Sequence, residues 1–259
     1  MTLVVPGAFF LTGAAIASFV GVIVARLHTG QSFLTGHSRC DACNSTLKYA
    51  SLLPIISYVA SRGRSRCCKS RISYVAPLSE VLLGSLFVLA YLTLGVSAAL
   101  FWTLLSLSLL LALVSYDLLH QILPSPLLYV FIAASALSAF FASPSKDVLS
   151  TTLLTALLIA MFLAALHVFS RGRAMGFADA PLAFGLALLT GPVALSGFMF
   201  SFWIGAVIGI ALLARRPAGS RMGVEVPFAP FLAAGFLLAY FTQWNPLTLI
   251  AALPFMTVQ

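Results

Sequence analysis

The stretch AALFWTLLSLSLLLALVSYD, residues 98–117, carries no charged side chain until it reaches Asp117. About 20 such residues form a helix long enough to cross the hydrocarbon core of a bilayer. Comparable apolar stretches flank it, at about 6–24, 76–95, 125–141, 148–169, 179–190, 193–214 and 228–242. Together they predict an all-α, polytopic helical membrane protein with about eight transmembrane helices. A membrane barrel would instead alternate apolar and polar residues in segments of about ten. Composition agrees: of 259 residues 61% are hydrophobic and 8% charged, where a soluble globular domain has roughly 25% charged.

One polar interval, residues 28–75, interrupts this pattern. The predicted organisation is a first transmembrane helix in 1–27, a cytoplasmic cysteine-containing loop domain in 28–75 and a membrane-embedded core in 76–259. The net charge of +8 follows topology rather than a nucleic-acid partner. Arg26, Arg39, Lys48, Arg62, Arg64, Arg66, Lys69 and Arg71 form one basic group, Arg171 and Arg173 a second, and Arg215, Arg216 and Arg221 a third. Cytoplasmic loops carry the excess of Lys and Arg. With an external N-terminus, alternating spans put all three groups on the cytoplasmic side and Lys146 on the other. The first apolar stretch runs into Arg26 without a small-residue cleavage pattern, so it is expected to remain as a permanent span.

The chain has six acidic residues. Asp41 falls in the polar interval and Asp147 on the external side. Glu80, Asp117, Asp179 and Glu225 each fall close to the cytoplasmic end of a span. Acids at such depth are costly unless paired or hydrated, which makes function their default reading. An acid at a helix N-terminus also complements the dipole, and this suits Glu80 and Asp179. Two neighbouring carboxyl groups hydrolyse a peptide bond when one, ionised, takes a proton from water and the other, protonated, polarises the carbonyl. Their mutual repulsion keeps the shared proton in place, and spacing alone does not say which two acids form such a pair.

The residues around these acids resemble those of the prepilin peptidases, type IV leader peptidases within the GxGD class of intramembrane aspartic proteases. Residues 18–27, SFVGVIVARL, are similar to the family's SFLNVVIYRL, with Gly21 for Asn. Ser38-Arg39-Cys40-Asp41-Ala42-Cys43 resembles SRCPxC, and Leu53-Pro54-Ile55-Ile56-Ser57-Tyr58 with Arg62-Gly63-Arg64 resembles IPxxSYxxxRGR. Pro77-Leu78-Ser79-Glu80 resembles PLVE. Asp117 begins a stretch ending at Leu123-Pro124 that resembles DxxxxxIP. Gly176-Phe177-Ala178-Asp179 resembles GxGD, with Ala178 for the second glycine. Val226-Pro227-Phe228-Ala229-Pro230-Phe231 is similar to IPFGPFL. A glycine required for positive φ would make Ala178 a strained substitution; one required only for close packing would not.

The resemblance implies cleavage of a basic N-terminal leader, after a glycine, from membrane-anchored prepilins or pseudopilins at the cytoplasmic face of the inner membrane. It implies Asp117 and Asp179 as the catalytic pair, water as nucleophile and no cofactor for proteolysis. It also implies N-methylation of the new N-terminus with S-adenosylmethionine, associated with the first cytoplasmic loop, and Glu80 is singled out for a role there.

Cys40 and Cys43, spaced CxxC, with Cys67 and Cys68 suggest a tetrahedral zinc site. In the family a second CxxC completes the set, but here Ser65 takes its first position, leaving Cys67 or His37 to supply the fourth ligand. Reduced thiols without metal are the alternative in a cytoplasmic loop. His120 lies near Asp117; no role is expected for His28 or His167. Two other functions stay open: a transporter using carboxylates for proton or cation coupling, and an inactive scaffold with the same architecture.

Overall fold

The structure is a computed structural model that describes residues 4–27, 40, 42–43, 45–46, 54–173, 175–214 and 227–246. Arg39, Lys48, Arg215, Arg216, Arg221, Asp41, Glu225, His28 and His37 lie outside the described residues. The elements are helices α1 (Val4–Leu27), α2 (Ile56–Ala60), α3 (Val75–Leu94), α4 (Ala98–His120), α5 (Ser125–Ala142), α6 (Lys146–Phe169), α7 (Asp179–Thr190), α8 (Ala194–Ala214) and α9 (Ala229–Thr242), with a 3-10 turn at Gly191–Val193. Arg64 and Arg71 form an isolated antiparallel bridge. The chain is an all-α, multi-pass membrane protein.

Among the described residues six stretches are long and apolar enough to cross a bilayer, the last being the continuous Asp179–Leu212. Two of the about eight expected spans, at 179–190 and 228–242, form helices shorter than the others. Helix α7 has 12 residues, and at 1.5 Å per residue it rises only about 18 Å. It stops where Gly191 takes φ 68°, and the following proline has no N–H to offer the next turn. Helix α9 is also short, with 14 residues.

The helix ends carry local signals. Ser97 caps α4, its hydroxyl accepting the Leu100 N–H at 3.1 Å. Ser145 caps α6 by accepting from Val148 at 3.3 Å. These side chains satisfy N–H groups that have no partner within their helices.

The helices group into two compact units, one of Met1–Val96 with Leu107–Ser115 and one of Ser97–Ser106 with Tyr116–Gln259. In the first, α1 packs on α3 with backbones nearly touching: a Cβ built on Gly13 would lie 2.9 Å from the Gly84 Cα. Phe9 stacks on Tyr91 beside this crossing, with ring centroids 4.6 Å apart.

In the second unit α7 is the core. Asp179, Ala180, Leu182, Ala183, Gly185 and the whole run from Leu186 to Thr190 are buried, and α5, α6, α8 and α9 pack against it. A helix apolar on every side belongs inside a bundle. Helix α6, by contrast, leaves Leu153, Leu154, Leu157, Leu158, Met161 and Phe162 exposed, the surface expected toward lipid.

Since lipid tails are as apolar as Leu, helix association in a bilayer depends on close packing and interhelical hydrogen bonds. Thr103 bonds Ser138 at 2.7 Å, and Ser201 on α8 donates to the Leu232 carbonyl on α9 at 3.2 Å. Gly235 lies directly against Ser201, and a Cβ there would collide with the Ser201 backbone. Gly209 has nothing within 4 Å of its Cβ position. Gly235→Ala is therefore expected to destabilise the detergent-solubilised protein by about 1–3 kcal/mol, read as a lower Tm. Gly209→Ala is expected to leave the Tm unchanged or slightly higher.

Candidate active site

Helix α4 ends in a left-handed cap: Gln121 takes φ 55° and its N–H bonds back to the Asp117 carbonyl at 2.8 Å. Asp117 thus occupies the last turn, at the negative end of the α4 dipole, an unfavourable place for a carboxylate. A backbone donor from α9 offsets this. The Ala229 N–H bonds the Asp117 side chain, and this is one of the first-turn donors that a helix leaves without an internal partner. The VPFAPF stretch that carries Ala229 therefore delivers a helix N-terminus to Asp117. The other oxygen position, Asp117 Oδ2, is buried with no hydrogen-bond partner among the described residues.

Asp179 is the first residue of α7, where the dipole favours an acid. The Gly176 N–H bonds its carboxyl group, and the Asp117 carboxyl lies within electrostatic reach. Both aspartates are only 7% exposed. Residue 178 caps the helix with φ −67°, an ordinary value for alanine, so Ala178 is unstrained. Gly176 is not among the positive-φ glycines either; a Cβ on it would lie 3.6 Å from Asp179 Oδ2. That is ordinary van der Waals contact, so neither residue 176 nor residue 178 sits where this turn demands glycine.

No motif singles out His167, yet its ring lies within electrostatic reach of Asp179. Its Nδ1 is 2.9 Å from the Met175 carbonyl oxygen, and since a carbonyl only accepts, Nδ1 carries the hydrogen. Phe177 meets the same ring edge-on at 5.6 Å. His120 instead packs against Tyr116, ring centroids 4.5 Å apart.

Glu80, in the first unit, is buried and its Oε2 accepts the Ile55 N–H at 2.6 Å. Ile55 has φ 58° and ψ −50°, with the Ile56 N–H bonding back to the Pro54 carbonyl. This is a γ-turn of the rare, strained hand, and in a β-branched residue it persists only where the surroundings hold it.

The four cysteines converge. Their sulfurs all lie within 4.8 Å of one another: Cys40 to Cys68 is 3.8 Å, Cys43 to Cys67 3.2 Å and Cys67 to Cys68 3.9 Å. Four sulfurs about 2.3 Å from a tetrahedral metal would stand about 3.8 Å apart, so the set fits one ion. Adjacent Cys67 and Cys68 both reach because the turn folds back: the Lys69 N–H bonds Ser65 O, the Ser65 N–H bonds Ser70 O, and Lys69 takes φ 58°. Buried Ser65 lies 3.4 Å from the Cys40 sulfur and 2.9 Å from that of Cys67. Its hydroxyl, with the Ala42 and Cys43 backbone, draws the Cys40 thiol down to about 5.

Residues 11–94 match the Bacterial Peptidase A24 N-terminal domain. Three similar proteins share the name prepilin leader peptidase/N-methyltransferase. That of Bacillus subtilis (strain 168) is 32% identical over 236 residues, 89% of this chain and 92% of the relative. That of Myxococcus xanthus (strain DK1622) is 34% identical over 217 residues, 82% and 64% of the two. That of Klebsiella pneumoniae is 35% identical over 108 residues, 39% and 47%. No solved structure matches the chain. Identity at this level over nearly the whole of both the chain and its Bacillus relative means that the chain belongs to the prepilin leader peptidase/N-methyltransferase family.

Proposed function

We propose that this chain is a membrane-embedded aspartic peptidase that removes the basic leader from prepilin-like or pseudopilin precursors, with Asp117 and Asp179 activating a water molecule. The observation that carries this reading is the approach of two buried carboxyl groups, each held by a backbone N–H and one with an open oxygen. An aspartate pair of this kind works by sharing one proton between its two carboxyl groups. The ionised member takes a proton from water as the water oxygen bonds to the scissile carbonyl carbon, and the protonated member gives its proton to the carbonyl oxygen. Collapse of the tetrahedral intermediate breaks the C–N bond, and the departing amine collects the proton taken from water.

Acids at helix ends suit this chemistry better than they suit a transport pathway, which would call for acids near the bilayer midplane. The unstrained backbone at Ala178 removes the reason for reading the chain as an inactive scaffold. The basic loops favour an external N-terminus in the inner membrane and a cytoplasmic active face, where a basic leader would meet the enzyme. The loop of 28–75 serves the second activity in the relatives' name, methylation of the new N-terminus, with S-adenosylmethionine as the methyl donor. Glu80 contributes to that half by holding the strained Ile55 turn. Zinc held by Cys40, Cys43, Cys67 and Cys68 locks the loop as a closed structural site, and Ser65 orients two of its sulfurs.

Two outcomes test this reading. A recombinant prepilin with its leader intact, incubated with the solubilised enzyme, is expected to be cut by wild type, with a loss of at least about 1,000-fold in Asp117→Asn and in Asp179→Asn. Cleavage that persists in either variant removes that residue from the pair. Metal analysis of the purified protein is expected to find about one zinc per chain, retained in Ser65→Ala and lost in Cys68→Ser. A metal-free preparation whose loop resists protease as well as the native protein would overturn the zinc assignment.

A further inference from the structure

The last turn of α6 bends the chain in a particular way. The Gly172 N–H bonds the His167 carbonyl at 2.9 Å and the Arg171 N–H bonds that of Val168 at 3.1 Å, with Arg171 at φ 55°. This six-to-one and five-to-two pairing around a left-handed residue is a Schellman ending. Gly172 follows at φ 75°, and a Cβ on it would stand 3.3 Å from His167 Cε1. The turn therefore brings Gly172 against the imidazole, and His167 Nδ1–H meets the Met175 carbonyl.

The consequence lies in the next bond of the chain. The Met175 carbonyl and the Gly176 N–H belong to one planar peptide group and, in a trans peptide, point in opposite directions. On one side of this plane His167 donates to the oxygen; on the other the N–H donates to the Asp179 carboxyl group. Hydrogen bonds in such a chain polarise one another, and a plane anchored at its oxygen has its N–H direction fixed. We propose that His167 is a positioning residue for Asp179, acting through the Met175–Gly176 peptide, which it orients and polarises so that the Gly176 N–H holds the carboxyl group for proton transfer.

This inference rests on the proposed aspartate pair and makes a separable claim. The group that matters is the hydrogen on Nδ1, attached to the ring through Cγ. Asparagine carries its amide nitrogen on the same atom, glutamine carries it one atom further out at the place of Nε2, and phenylalanine keeps the ring edge for Phe177 without a donor. The effect concerns the reacting group and leaves the remote contacts to the substrate helix in place, so it belongs in kcat rather than KM.

The test uses the full-length solubilised protein and a recombinant prepilin with its leader intact. His167→Phe is expected to lower kcat about tenfold with KM within about twofold of wild type. His167→Asn is expected to recover kcat to within about threefold of wild type, and His167→Gln is not. If the phenylalanine variant does not fold, asparagine against glutamine decides on the same terms. An unaffected kcat in His167→Phe, an asparagine variant no better than phenylalanine, or recovery by glutamine instead of asparagine overturns the inference and leaves the pair intact. Full activity in Asp179→Asn overturns the pair and the inference with it.

Discussion

Two carboxyl groups within electrostatic reach of each other in an apolar helical unit are the constraint on which the rest depends. Neither is tolerated there alone, because an isolated carboxylate out of water carries a large desolvation cost. Each is answered by a backbone donor placed by a helix: the first-turn N–H of α9 for Asp117, and the Gly176 turn entering α7 for Asp179. Backbone donors suit the task because they are fixed by the fold and bring no countercharge that would hold both acids ionised.

The packing follows from this requirement. Helix α7 is short and buried on every side, so its first residue is fixed by neighbours on α5, α6, α8 and α9. Helix α9 reaches Asp117 because it packs on α8 at a backbone contact that only glycine permits, Gly235 against Ser201. The distance between Gly235 and Ala229 along α9 is thus a lever from a packing contact to the donor of an acid. On the other side, the Schellman end of α6 returns the chain over His167 and into the Gly176 turn.

Apolar length made the helical membrane architecture legible in the sequence, and the motifs around Asp117 and Asp179 selected two acids from four. The short helices were less legible, since apolar length does not show that α7 ends after 12 residues at Gly191. Ala178 looked like a departure because the sequence does not reveal the backbone angle at residue 178. The choice between Cys67 and His37 as a fourth ligand stayed open in the sequence because the reversal from Ser65 to Ser70 depends on a left-handed residue, Lys69, that has no glycine to announce it. His167 was invisible for a different reason. It sits twelve residues before Asp179 in the sequence, outside any motif, and the chain reversal after α6 is what brings it near the site.

The proximity of the two acids can be measured directly. With the four native cysteines changed to serine, Asp117→Cys and Asp179→Cys are introduced together and treated with a short bifunctional thiosulfonate. Thr103→Cys with Ser138→Cys provides the reference, its native hydroxyl oxygens lying 2.7 Å apart. Both pairs are expected to give an intramolecular cross-link, seen by intact mass. A reference pair that links while residues 117 and 179 remain unlinked would contradict the shared site.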